Sequence, residues 1–207
     1  MLLSALATLA ALAPSLKTDA PCYLPRQPVK LAGAGFTPKA RYTVTLDRAP
    51  VGTGTVAADG KLAGTLSSGT LTARQLQRRH LVAVHDGPTP GGHAGFEVSA
   101  LSAAFAPTTG DPRTLRVHFS VNGIGAGVPG AAPARVWLHY LDPRGHLHTT
   151  VSVGLTSGPC GTLKSRKRLR LFPFAAVAAG RWTLQFDLSR TYYARAQPRI
   201  TRLVAVK

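Results

Sequence analysis

Acidic residues are scarce in this chain. Only 8 of its 207 residues are Asp or Glu, against 25 Lys or Arg, and the formal net charge is +17. Four of the eight acids stand in turn dipeptides: Asp59-Gly60, Asp86-Gly87, Asp111-Pro112 and Asp142-Pro143. A carboxylate in such a turn bonds its own backbone and is lost to catalysis. Paired-carboxylate glycoside hydrolysis therefore has little support. The two cysteines, Cys22 and Cys160, have no ligand at metal spacing, which argues against a zinc site. There is no phosphate-cradling loop ending in Lys-Ser/Thr and no nucleophile-elbow pentapeptide. Gly33-Ala34-Gly35 lacks the third glycine of a dinucleotide loop. After the N-terminus no run is apolar enough to cross a membrane. The expectation is no catalytic residue and no cofactor. The enzyme alternative is a secreted catalyst with its site in residues 101–207, where Cys160 could serve as nucleophile with a distant His.

Apolar residues are not scarce. They make up 44% of the chain, too many for a disordered basic tail. Their pattern has period 2. Tyr42, Val44 and Leu46 alternate with polar neighbours, as do Leu115, Val117, Phe119 and Val121, and Trp182, Leu184, Phe186 and Leu188. Such alternation marks half-buried strands of antiparallel sheets. Turn signals recur every ten or so residues, with 21 Gly and 16 Pro in the chain. Helical patterning is confined to Leu71–Arg79, where Thr72 could cap one or two turns. The predicted fold is all-β: two antiparallel β-sandwich domains after a signal-like segment. The boundaries are 1–20 for the signal segment, 21–100 for the first sandwich and 101–207 for the second. Ser99–Pro107 reads as a linker or as the first strand of the second sandwich.

The first thirteen residues, from Met1 to Ala13, match the apolar core of a secretory signal, although no Lys or Arg precedes them and Pro14 follows Ala11-Leu12-Ala13. Export places the chain outside the cytoplasm, secreted or in the cell envelope. There an even cysteine count points to a Cys22–Cys160 disulfide, and two unrelated thiols are the alternative.

The segment Leu31-Ala32-Gly33-Ala34-Gly35-Phe36-Thr37-Pro38, the strand from Tyr42 to Asp47 and the stretch ending in Asp59-Gly60 carry a resemblance. They are similar to the immunoglobulin-like repeats of bacterial surface and secreted proteins, with a Gly-x-Gly-Phe-x-Pro corner and an Asp-Gly hairpin. The resemblance covers the first half only, and it is the ground for expecting two antiparallel immunoglobulin-like β-sandwich domains. It implies stalk, spacer or adhesive work, with Phe36 plugging the end of a core. It carries no catalytic residues.

Charge is densest at Lys164, Arg166, Lys167, Arg168 and Arg170, with a smaller knot at Arg74, Arg78 and Arg79. These residues could bind a polyanion such as an anionic cell-wall polymer. No motif for specific nucleic-acid recognition accompanies them. Arg outnumbers Lys 18 to 7, which a high-GC coding bias would also produce. Three histidines need a register argument. If Asp142–Gly145 forms a four-residue turn, His139 pairs with His148, and His146 joins them on one face as a weak zinc or copper candidate. A one-residue slip dissolves that set. Among the aromatics, Trp182 reads as core, whereas Trp137 and one of Tyr192 and Tyr193 read as exposed.

The sequence thus points to a non-catalytic secreted or surface-associated module for adhesion, spacing or envelope attachment. The alternatives are a polyanion-binding protein and a secreted enzyme.

Overall fold

The computed structural model describes residues 13–87, 91–128 and 133–207. The signal-like segment lies outside the described residues through position 12. No helix occurs among the described residues. The sixteen strands are β1 Ser15–Thr18, β2 Cys22–Tyr23, β3 Pro28–Ala34, β4 Arg41–Leu46, β5 Ala49–Thr55, β6 Leu62–Ser67, β7 Gln77–His85 and β8 Gly92–Ser99, followed by β9 Ser102–Ala106, β10 Arg116–Asn122, β11 Arg135–Leu141, β12 Leu147–Leu155, β13 Leu163–Lys164, β14 Leu169–Arg170, β15 Gly180–Asp187 and β16 Ile200–Val206. β1 falls inside the stretch read as signal, and β9 shows that Ser99–Pro107 begins a sandwich instead of linking two. The expected helical turns at Leu71–Arg79 reduce to one turn at Ala73–Arg74, followed by β7. Thr72 and Gln75 close that turn through two hydrogen bonds, one of them to the Gln75 side chain.

The chain forms two compact units. The first takes the described residues of Met1–Asp19, Pro28–Ser67 and His80–Phe96; the second takes Ala20–Gln27, Ser68–Arg79 and Glu97–Lys207. In the first, β1-β3-β6 form one sheet, and β8-β7-β4-β5 are consecutive in the other. In the second, β9 and the β13/β14 pair flank β10, and the other sheet runs β12-β11-β15-β16. The two orders are the same. The first, second and fifth strands of each unit pair in one sheet; the third, fourth, sixth and seventh pair in the other. That is the strand order of an immunoglobulin-like sandwich without its D strand and with C′ beside C. The fold class read from the sequence is the observed one.

Alternation becomes core where both sheets cover it. In β10, Val117, Phe119 and Val121 are buried while Arg116, His118, Ser120 and Asn122 face outward. Val136, Leu138 and Tyr140 of β11 and Trp182, Leu184 and Phe186 of β15 complete the core of the second unit. β4 departs from the pattern. Its alternation is as clean in sequence, yet Tyr42 through Leu46 are all only half-buried.

In the first unit Phe36 is 2% exposed, and its N–H donates to the Gly60 carbonyl at 3.1 Å. Gly33 makes room for its ring: a Cβ there would lie 2.7 Å from Phe36 Cε2.

Candidate functional site

The basic run lies on an edge. β13 and β14 both pair with β10, Ser120 opposite Lys164 and Arg116 opposite Arg170. Five residues of β10, 116–120, therefore face seven of the other segment, 164–170. Two extra residues leave the ladder as a bulge centred on Arg166 and Lys167. Ser165 pins the inner end of the bulge. Its N–H donates to the Phe119 carbonyl at 2.8 Å, and its hydroxyl accepts the Phe119 N–H at 2.9 Å. Below the bulge the Leu171 N–H donates to the Leu115 carbonyl at 2.8 Å. Read as an uninterrupted strand, Lys164–Arg170 would place Arg166, Arg168 and Arg170 on one face. The bulge replaces that alternation, and all five cations are exposed.

No carboxylate reaches them. Asp19, Asp47, Asp59, Asp86, Asp111, Asp142 and Asp187 each accept a backbone N–H elsewhere, and Glu97 accepts the Gln77 amide. None of the five cations takes part in an ion pair among the described residues. The acids at 59, 111 and 142 bond the backbone of their own turns, as such dipeptides predict. Asp86 instead accepts the distant Thr37 N–H at 2.8 Å, which holds its carboxyl below the usual carboxylate range. Asp142 is lowered in the same way by the His146 N–H. The second basic knot is elsewhere in sequence and in sheet. Arg74 sits in the turn, Arg78 and Arg79 begin β7, and all three are exposed.

The three histidines do not assemble. The turn spans five residues, because the Asp142 N–H donates to the His146 carbonyl, and a bulge lies between Tyr140 and Leu141. Leu141 therefore faces Leu147, and His139 faces Thr150. His146 is exposed, and His148 packs on the rings of Phe174 and Trp182, with centroids 4.2 and 5.4 Å away. His139 is fully buried between Thr150 Oγ1 at 2.8 Å and Asp187 Oδ1 at 3.2 Å. Gln185 also donates to Asp187, at 2.8 Å, and to the Tyr193 carbonyl at 3.0 Å. The segment after β15 thereby folds onto the sheet, with Tyr192 against His139 and the Arg190 guanidinium 5.7 Å from the Trp137 ring centre. This capped arrangement accounts for a buried histidine on the face opposite the core. No group of three His, Cys, Asp or Glu side chains among the described residues could hold a metal ion. Trp182 is core at 1% exposure, Trp137 is half-buried and Tyr193 is 62% exposed.

Cys22 and Cys160 form a disulfide, with Cα atoms 5.1 Å apart and both side chains buried. Both residues fall in the second unit, because Ala20–Gln27 clusters there. β2 runs parallel to the end of β8, with Cys22 opposite Glu97. The Gly125 N–H donates to the Cys160 carbonyl and the Gly127 N–H to the Cys22 carbonyl. Gly161, at φ +65°, lets that contact close: a Cβ there would lie 2.5 Å from the Gly125 nitrogen. The repeated glycines of Gly123–Gly127 were the sequence signal for this approach.

No protein-family model matches the chain. No curated protein matches it either. Among solved structures it is similar to the human OSCAR ligand-binding domain, at 13% identity and a TM-score of 0.39, over 93% of this chain and 97% of that one. It is also similar to red sea bream transglutaminase, at 15% identity and TM-score 0.34, over 96% of this chain and 32% of that one. A third similarity is to Escherichia coli alpha-2-macroglobulin activated by porcine elastase, at 12% identity and TM-score 0.33, over 94% of this chain and 22% of that one. The chain thus spans about a third or less of the last two proteins. None of the three bears on what this chain binds.

Proposed function

We propose that the chain is a non-catalytic, extracytoplasmic module that serves adhesion, spacing or envelope attachment. The disulfide carries this reading. A buried bond between cysteines 138 positions apart favours an oxidising compartment, since cytosolic thiols are in general kept reduced. The apolar N-terminal run supports export. The engagement of all eight acids in hydrogen bonds supports the non-catalytic half of the reading.

Expression of the full chain in a bacterium, followed by fractionation and thiol titration under denaturing conditions, tests the proposal. Recovery outside the cytoplasm with no titratable thiol supports it. Retention in the cytoplasm with both thiols reactive overturns it.

A further inference from the structure

The sheet that carries the basic bulge also has an outer face, and its composition is unusual. On β10 the outward residues are Arg116, His118, Ser120 and Asn122. Residues directly opposite in a ladder share a face. Lys164 therefore joins that face beside Ser120, and Arg170 joins it beside Arg116. On the other side of β10, Ala106, Ala104 and Ser102 stand opposite His118, Ser120 and Asn122. On its β9 side this face is a shelf of small side chains, Ser102, Ala104 and Ala106, and its opposite edge is bordered by cations. It holds no acid and no aromatic ring apart from His118. No strand pairs with the outer side of β13 or β14 among the described residues.

We infer that this face binds a linear polyanion without bases: a glycan or polyol chain carrying repeated phosphate, sulfate or carboxylate groups. The inference rests on the extracytoplasmic module reading and names its ligand class. Four observations carry it. Arg116 and Arg170 are opposed directly across the ladder with no carboxylate between them, an arrangement that an anion relieves. Arg116 also donates to the Arg168 carbonyl at 3.3 Å, which tethers the outer arm of the bulge to β10. From Lys164 to Arg170 the cations span four steps of β10, about 14 Å, so they suit a repeating charge better than a single small anion. The small residues let an extended chain lie close to the backbone, while the lack of a stacking platform disfavours single-stranded nucleic acid.

Edge protection alone would also explain Lys and Arg on a bulged edge strand. It would not require the cations to act together on a ligand. The two readings part experimentally. The probes are heparin, poly(glycerol phosphate) and an oligothymidylate of equal charge, with binding to the full chain measured by titration at several salt concentrations. Heparin and poly(glycerol phosphate) separate sulfate and carboxylate from phosphate as the source of charge. Binding of either one supports the inference and assigns the charged group. Replacing Arg116, Arg166, Lys167, Arg168 and Arg170 together by Gln should weaken binding at least tenfold, and the salt slope should fall by about one unit per lost contact. Ala104→Trp, which obstructs the shelf without removing charge, should weaken binding as well. The triple change of Arg74, Arg78 and Arg79 to Gln should leave affinity within about twofold. All these positions are exposed, so each variant should fold, and melting curves check that it does. Three results overturn the inference: no binding of either polymer, an equal loss in the Arg74/Arg78/Arg79 variant, or tighter binding of oligothymidylate than of both polymers. Any of these with an intact disulfide and export leaves the module reading standing. Reactive thiols in the cytoplasm would overturn that reading instead.

Discussion

Arg116 and Arg170 face each other directly across β10 and β14, two like charges in one cross-strand pair. Sheets normally place opposite charges or neutral partners there, because like charges in register are destabilising. Replacing Arg170 by Gln should therefore stabilise the second unit by roughly 0.2–1 kcal/mol at low ionic strength. The gain should fade in 1 M salt, where screening shortens to about 3 Å. Urea melts of both proteins at the two salt concentrations measure it.

The Cys22–Cys160 bond closes a loop of 138 positions. In the chain-entropy account such a loop is worth ~5 kcal/mol. Substituting both cysteines by Ser should lower stability by about 2–5 kcal/mol. Chemical denaturation with and without reductant checks this. The reduced native protein should match the double variant, and equal stability of oxidised and reduced forms contradicts the expectation.

His139 bonds Thr150 and Asp187 with no access to solvent. Leu in its place would leave Asp187 buried with its remaining partners, Gln185 and the Ser189 N–H. The expected loss is about 1–3 kcal/mol, as for a buried acceptor deprived of one partner. Replacing exposed His146 by Leu should change stability by less than about 0.5 kcal/mol. Thermal melts of the two variants side by side give the contrast.

Asp86 is held below its ordinary carboxylate value of 3.8, chiefly by the Thr37 N–H. A group whose folded pKa is depressed contributes stability that is complete above the unfolded value and is lost as pH falls through the folded one. Stability should therefore decline as the pH drops below about 4. Asp86→Asn should lower stability at pH 7 and flatten part of that acid limb. Denaturant midpoints between pH 2 and pH 7 test both effects.

Much of the fold is legible in the sequence. Period-2 runs at 115–121 and 182–188 became β10 and β15 because each lies between a core and solvent, which is the condition that writes alternation into a sequence. Asp142-Pro143-Arg144-Gly145 announced its turn through side-chain and glycine chemistry that acts within a few residues. Helix preference at Leu71–Arg79 gave way to a turn and, from Gln77, to β7, which gains sheet partners in β8 and β4 that a short exposed helix would lack. The candidate site was half legible. Clustering of Lys164–Arg170 is visible in the sequence; the bulge at Arg166–Lys167 and the shelf of Ala104 and Ala106 are not.

The sequence by itself determined the all-β class, the scarcity of free acids and the place along the chain where positive charge concentrates. Those properties reside in composition and in spacings of two to six residues. Tertiary structure alone decided register and distance. A turn one residue longer than four and a bulge beside Tyr140 together gave His139 to Thr150 and broke up a three-histidine cluster, and two extra residues made the 164–170 run a bulged basic edge. It also brought Cys22 to Cys160. Side-chain period in a strand is two, so one inserted residue exchanges the faces, and no local pattern records which partner strand absorbs it.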